Sequence, residues 1–202
     1  MPDTPAEFFA RACAAADAEG RLPLPTQSSW EIFPFELQGL VSKPLEPPVD
    51  PEPPRSGEDP AECRRCAQPD DGAVWSDERW VLARFGEPLG LPFGAMLMPR
   101  GHFDLGDLDE QHATELGTLI VRIDRAVNAL GNIGRMHVNK WGDGGAHLHI
   151  VFLARPLGLL QLRGSNLALW EEMLPRVPED IAEDDLAQVA QALAAYGGRA
   201  HV

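Results

Sequence analysis

The chain has 202 residues, 24% of them charged, with 17 basic against 31 acidic side chains for a formal net charge of −14. That length suffices for one substantial domain with extensions or for two small ones. The acidic balance repels a nucleic-acid backbone, three cysteines are too few for a secreted disulfide scaffold, and no run approaches the roughly 18 apolar residues of a membrane span, so the expected setting is the reducing cytoplasm, with neither a membrane nor a nucleic-acid polymer as partner.

In chain order, residues 5–19 predict a short helix ended by Gly20, with Cys13 inside it as a small packed side chain rather than a reactive thiol. The segment Trp30–Leu37 alternates apolar positions around Pro34 and predicts an extended piece laid over a core. Residues 44–60 carry seven prolines, which fix φ and remove backbone donors, so a stiff extended connector is expected and with it a boundary at residue 60. Two antiparallel strands are expected around Trp80–Phe85 and Gly94–Met98. The stripe Leu116, Leu119, Ile120, Ile123, Val127, Leu130 then predicts a long helix over 109–130. Met136–Lys140 and His147–Phe152 predict two further strands joined by a turn with three glycines, Gly142, Gly144 and Gly145. A C-terminal helix over 186–195 follows a turn containing Trp170, and His201 is expected to be unstructured. The organisation expected is therefore 1–60 as an N-terminal helix and proline-rich extension, 61–156 as the central domain, and 157–202 as a C-terminal helical extension.

Strand alternation puts His147, His149 and Val151 on one face and Leu148, Ile150 and Phe152 on the other, where they can enter a core. Two imidazoles beside a glycine turn suit an anion, because backbone N–H groups in such a turn can approach phosphate oxygens and Asn139 adds an amide at the same rim. Trp141 in the turn is either a stacking surface for a base or a lid over the core.

The run Asn139-Lys140-Trp141-Gly142-Asp143-Gly144-Gly145-Ala146-His147-Leu148-His149-Ile150-Val151 resembles the active strand of the histidine-triad superfamily of nucleotide hydrolases and nucleotidyltransferases. The resemblance runs back through the two strands near residues 80–98 and the following helix. It implies an α+β fold: an antiparallel sheet with a long helix packed on it, here with an N-terminal proline-rich wrap and a C-terminal helix added. It places Gly145 where the first of three alternating histidines stands, which leaves His147 as the middle histidine and His149 as the last. By that reading His147 is the nucleophile on the α-phosphate of a nucleotide, His149 donates to a phosphate oxygen, and Asn139, Trp141, Gly144 and Gly145 bind substrate. Glu87 is the candidate for gripping the ribose hydroxyls.

The resemblance also bears on metal. Cys63-Arg64-Arg65-Cys66 has the spacing that brings two thiolates to one tetrahedral zinc, and related proteins add a histidine at the position of His102. The fourth ligand would fall at Gly145, which has no side chain; His137, His112 or water stand as substitutes. The zinc so held is structural, and no organic cofactor is implied. Family members pair as homodimers through the long helix and its neighbouring strand, a surface that residues 1–60 could cover. The competing function is a catalytically degenerate nucleotide- or partner-binding protein, and a third reading, a structural zinc protein, requires the histidine face to be buried and dry.

Overall fold

In the computed structural model the residues described are 4–24, 32–36 and 38–201. The chain divides into two compact units, residues 1–53 and 54–202. The first unit holds helix α1 (Pro5–Cys13), whose N-cap Thr4 exchanges side-chain and backbone hydrogen bonds with Glu7. This helix stops well short of the expected residue 19, because Asp17 Oδ1 accepts the N–H groups of Glu19 and Arg21 and bends the chain into a turn. Cys13 is exposed there rather than packed. Of the expected extended piece over 30–37, positions 30, 31 and 37 lie outside the described residues and 32–36 form no strand.

The second unit contains one six-stranded antiparallel sheet: β1 (Ala73–Ser76), β2 (Trp80–Ala83), β3 (Phe93–Pro99), β4 (Ile133–Asn139), β5 (Ile150–Pro156) and β6 (Arg199–Ala200), in the spatial order β4-β5-β3-β2-β1-β6. Four helices accompany it, α2 (Arg64–Ala67), α3 (Glu110–Asn128), α4 (Leu167–Met173) and α5 (Glu179–Ala194). The α+β class that the resemblance implies is the class observed. The long helix lies one residue inside its expected start and two inside its expected end, and is started by Asp109, whose carboxylate accepts the His112 N–H at 2.8 Å.

The core forms on the sheet face that carries Leu97, Ala95, Ile150 and Phe152, covered by the buried stripe of α3 (Leu116, Leu119, Ile123, Val127) and by Leu186, Val189 and Leu193 of α5. Leu148, just before β5, joins this core as its alternation with the histidines requires. Ile123 is fully buried whereas Val121, on the same helix, is 47% exposed. Ile123→Val is therefore expected to cost about 0.5–1.5 kcal/mol, and Val121→Ala no more than about 0.5 kcal/mol, as read from urea midpoints at unchanged slope.

Residues 157–202 are not a separate extension. Leu162 and Leu167 pack on Val151 and Leu153 across the second sheet face, α5 closes the first, and β6 pairs with β1. This return is tight: a β-carbon at Gly198, whose φ is +76°, would stand 2.6 Å from the Ser76 carbonyl. It also orders His201, whose N–H donates to the Val74 carbonyl and whose Nε2 lies 2.8 Å from Ser76 Oγ. The segment around Trp170, expected as a turn, is the helix α4. Among the described residues no helix is long and apolar enough to cross a membrane.

Candidate active and metal centre

Residues 140–149 lead from β4 into β5, and the two strands pair antiparallel with Asn139 opposite Val151. β5 itself begins only at Ile150, so the two histidines stand just ahead of the ladder. Their backbone is fixed from other parts of the chain: Leu148 N–H donates to the Phe103 carbonyl at 2.7 Å, Ala146 N–H to the Ser56 carbonyl at 3.1 Å, and Ser56 N–H to the Gly144 carbonyl at 3.1 Å.

A charged tie holds the same turn. Asp104 accepts from Arg55 at 2.6 Å and pairs with Lys140 at 3.1 Å, and Arg55 donates on to the Gly142 carbonyl. The Arg55 guanidinium, then the Leu105 N–H and Lys140, hold the Asp104 carboxyl well below the usual carboxylate range. A folded pKa below the unfolded value makes this a stabilising contribution that is complete above about pH 4. It is lost as pH falls through the folded value. Asp104→Asn should therefore lower Tm by a margin that is constant at neutral pH and shrinks in acid; a margin independent of pH would show that the charge contributes nothing.

His147 and His149 have different surroundings. His147 is buried, its Nε2–H donating to the Pro99 carbonyl at 2.9 Å while Nδ1 lies 3.5 Å from Cys63 Sγ and 3.6 Å from Cys66 Sγ. Cys66 Sγ is in turn 3.3 Å from His102 Nδ1. The donor atoms of Cys63, Cys66, His102 and His147 all lie within 4.8 Å of one another. In a tetrahedral site with metal–sulfur bonds near 2.3 Å and metal–nitrogen bonds near 2.0 Å, each sulfur–nitrogen edge measures about 3.5 Å. The three observed edges, 3.3 to 3.6 Å, match that geometry. Two thiols and two imidazoles form a set able to hold a soft or borderline metal ion, and the Pro99 carbonyl fixes the tautomer that points Nδ1 of His147 inward. Burial pushes the His147 imidazole pKa down and the Cys66 thiol up, favouring neutral forms of both until a cation displaces the thiol protons.

This cluster corrects two expectations. His147 has both ring nitrogens engaged and is closed off from solvent, so it is unsuited to attack a phosphate. The fourth member of the cluster is also His147, and neither His137 nor His112 substitutes. His112 binds its own helix cap Asp109 at 2.8 Å and packs against Phe103, while His137 lies on β4, its pKa lowered by burial and by Arg155. The position of the missing ligand misled the sequence reading: the cluster is completed two residues beyond Gly145.

His149 is half-buried, and its Nδ1–H donates to the His147 carbonyl at 2.9 Å. That bond leaves the lone pair on Nε2, which has no hydrogen-bond partner among the described residues. A β-carbon on Gly145 would stand 3.7 Å from Cε1 of His149, so the turn backbone passes beside the ring, and space is open above Gly144. The N–H groups of Gly144 and Gly145 donate no backbone hydrogen bond among the described residues. Asn139, paired with Val151, shares the sheet face onto which His149 alternates. Trp141 is 47% exposed and covers no core. Glu87 is exposed and pairs with Arg176 at 3.2 Å.

The second unit thus joins an antiparallel sheet, with α3 and α5 on its main core face, to a cluster of two cysteines and two histidines. In fold it is similar to histidine-triad proteins. One is a zinc-bound histidine triad family protein from Mycobacterium smegmatis (20% identity, 67% of this chain and 96% of that one, TM-score 0.48). Others are a hypothetical histidine triad nucleotide-binding protein from Sulfolobus tokodaii (16%, 66% and 93%, 0.46) and a histidine triad protein from Bradyrhizobium japonicum (17%, 59% and 88%, 0.48). At these identities the likeness is one of fold. Neither protein-family models nor curated proteins gave a match.

Proposed function

We propose that the chain is a nucleotide-phosphate hydrolase or nucleotidyltransferase in which His149 is the nucleophile and Cys63, Cys66, His102 and His147 hold a structural zinc ion. The observation that carries the reading is the 2.9 Å bond from His149 Nδ1 to the His147 carbonyl, which presents the Nε2 lone pair beside an open glycine turn. In the histidine pattern described above the first histidine serves as metal ligand in zinc-bearing members and the second attacks. With His147 in the cluster it takes the first place, His149 the second, and Val151 the third.

In the first step the Nε2 lone pair attacks the α-phosphorus, the bond from phosphorus to the leaving atom, oxygen in an anhydride or nitrogen in a phosphoramidate, breaks, and that atom departs with the electron pair. The positive charge developing on the ring is eased through Nδ1–H by the His147 carbonyl, to which the bond already runs. In the second step water or an acceptor hydroxyl attacks the same phosphorus, loses its proton and releases the neutral imidazole. Asn139 and the N–H groups of Gly144 and Gly145 are placed to hold the non-bridging oxygens, the contribution that matters most where placement and charge stabilisation dominate. Zinc, when bound, supplies rigidity: it clamps residues 63–66, His102 and His147 together and so fixes the carbonyl that orients His149.

The test is to quench turnover of a nucleoside phosphoramidate or dinucleotide and look by peptide mass spectrometry for a nucleotidyl adduct on His149. Saturable nucleotide binding with no adduct and no turnover would favour a binding protein instead.

A further inference from the structure

A cavity of about 490 Å³ opens on the sheet face away from the main core, where Met96 lies, and is lined also by Arg64, Arg65, Gln68, Arg84 and Phe85. Its size falls within the range of ligand-holding clefts, about 300–1,000 Å³. Its position relative to His149 follows from strand register. Met96 is the partner of Val151, and His149 precedes Val151 by two residues on the same face, so the backbone of Met96, which lines the cavity, stands about 8 Å from that of His149.

The walls carry more cationic than anionic charge, against the −14 of the whole chain. Asp71, also at the cavity, pairs with Arg64 at 2.9 Å on the surface and reaches Arg65 only through space, without an ion pair. Arg84 meets Glu179 and Glu183 only at 3.4 and 3.6 Å, with all three side chains well exposed, and is free to turn inward at little cost. Arg65 is the distinctive group. It is half-buried, and its Nη1 donates to the carbonyls of Pro69 and Asp71, which fixes the guanidinium without neutralising it. Its Nε and Nη2 have no partner among the described residues. It also stands between Cys63 and Cys66, whose thiols both lie against His147, so the same short segment sets its position. A guanidinium fixed in place, half-desolvated and without a carboxylate of its own is arranged for an external oxyanion.

We infer that this cavity is a phosphate site, with Arg65 as its fixed guanidinium and Arg84 as its movable one, and that it takes a phosphate of the substrate other than the one His149 attacks. Only the naming of that phosphate as part of the substrate rests on the proposed function. The substrate class becomes narrower: a nucleotide with at least one additional phosphate, separated from the reacting phosphorus by a span that linked phosphates or a ribose can cover.

The experiment is calorimetric titration of the full, zinc-loaded chain with inorganic phosphate, which reads the cavity whether or not the protein turns anything over. Arg65→Gln and Arg84→Gln are each expected to weaken phosphate binding about fivefold or more, Arg65→Lys to retain most of it, and His149→Ala to change it less than about twofold. Zinc content is measured alongside; where Arg65→Gln loses metal, Arg84→Gln, which lies outside the metal segment, decides alone. Wild-type affinity in both glutamine variants, no phosphate binding by the wild type, or loss of binding in His149→Ala alone would each overturn the assignment. Absent turnover together with arginine-dependent phosphate binding would leave the site standing and remove only its link to catalysis.

Discussion

His149→Ala is expected to reduce turnover of a nucleoside phosphoramidate or dinucleotide on the order of 10³-fold or more while leaving zinc content and Tm unchanged. On the proposed mechanism the large effect follows from covalent chemistry: without the imidazole no nucleotidyl intermediate would form, and water would have to attack the α-phosphorus directly. The unchanged stability follows from position. His149 is half-buried, its one hydrogen bond is to the carbonyl two residues back, and it lies outside the four-donor cluster. His147 gives the opposite expectation. His147→Cys keeps a thiolate within reach of the same centre, and three cysteines with one histidine are also an accepted zinc set, so this variant should retain metal and a measurable share of turnover. The pair of variants separates the two histidines in one assay. If His149→Ala turns substrate over at the wild-type rate, or if His147→Cys holds its zinc and is as inactive as His149→Ala, the nucleophile has been misplaced.

Legibility varied along the chain for physical reasons. The α3 stripe and the alternation of Leu148, Ile150 and Phe152 against the histidines were readable because a buried face imposes its period on the sequence, and all of these residues but Ile120 and Leu130 are buried in the same core. β1 and β6 gave no comparable signal. β1 has four residues and β6 two, and β6 is held by a partner distant in the chain, with Trp75 opposite Ala200. The roles of His147 and His149 were legible as a pair and not as individuals. Spacing places two imidazoles on one side of an extended chain, but which of them turns toward Cys63 and Cys66 depends on where the 63–66 segment returns, a long-range contact that no local pattern encodes. The clue available was chemical: two cysteines and His102 need a fourth donor, and of the nearby candidates only the histidine pair leads into the strand adjoining the one that leads to His102. Arg65 was passed over because a single arginine in a cysteine spacer looks like a solvated residue until the cavity beside it is seen.

Cys63→Ser is expected to drop bound zinc from near one per chain to a small fraction and to lower Tm by more than about 10 °C. Two accounts of the cluster predict different magnitudes. If its contacts were only thiol–imidazole hydrogen bonds, losing one would cost about 1 kcal/mol, a shift of roughly 2–4 °C for a unit of this size. If a metal ion binds there, its binding free energy is folding free energy, about 10–16 kcal/mol for structural zinc in small domains, of which the substitution forfeits a large part. The donor edges of 3.3 to 3.6 Å agree with the second account, and so does the chain path, since the cluster joins residues 63–66 to positions 102 and 147 where no disulfide does so. Chelation supplies the matching control on unaltered protein: it should lower Tm by a similar amount, and added zinc should restore it. A wild-type chain stripped of metal that melts at the same temperature as the zinc-loaded chain would leave the cluster as two thiols and two imidazoles in hydrogen-bond contact. The orientation of His149 would then rest on the bonds of Leu148 to Phe103 and of His147 to Pro99 alone.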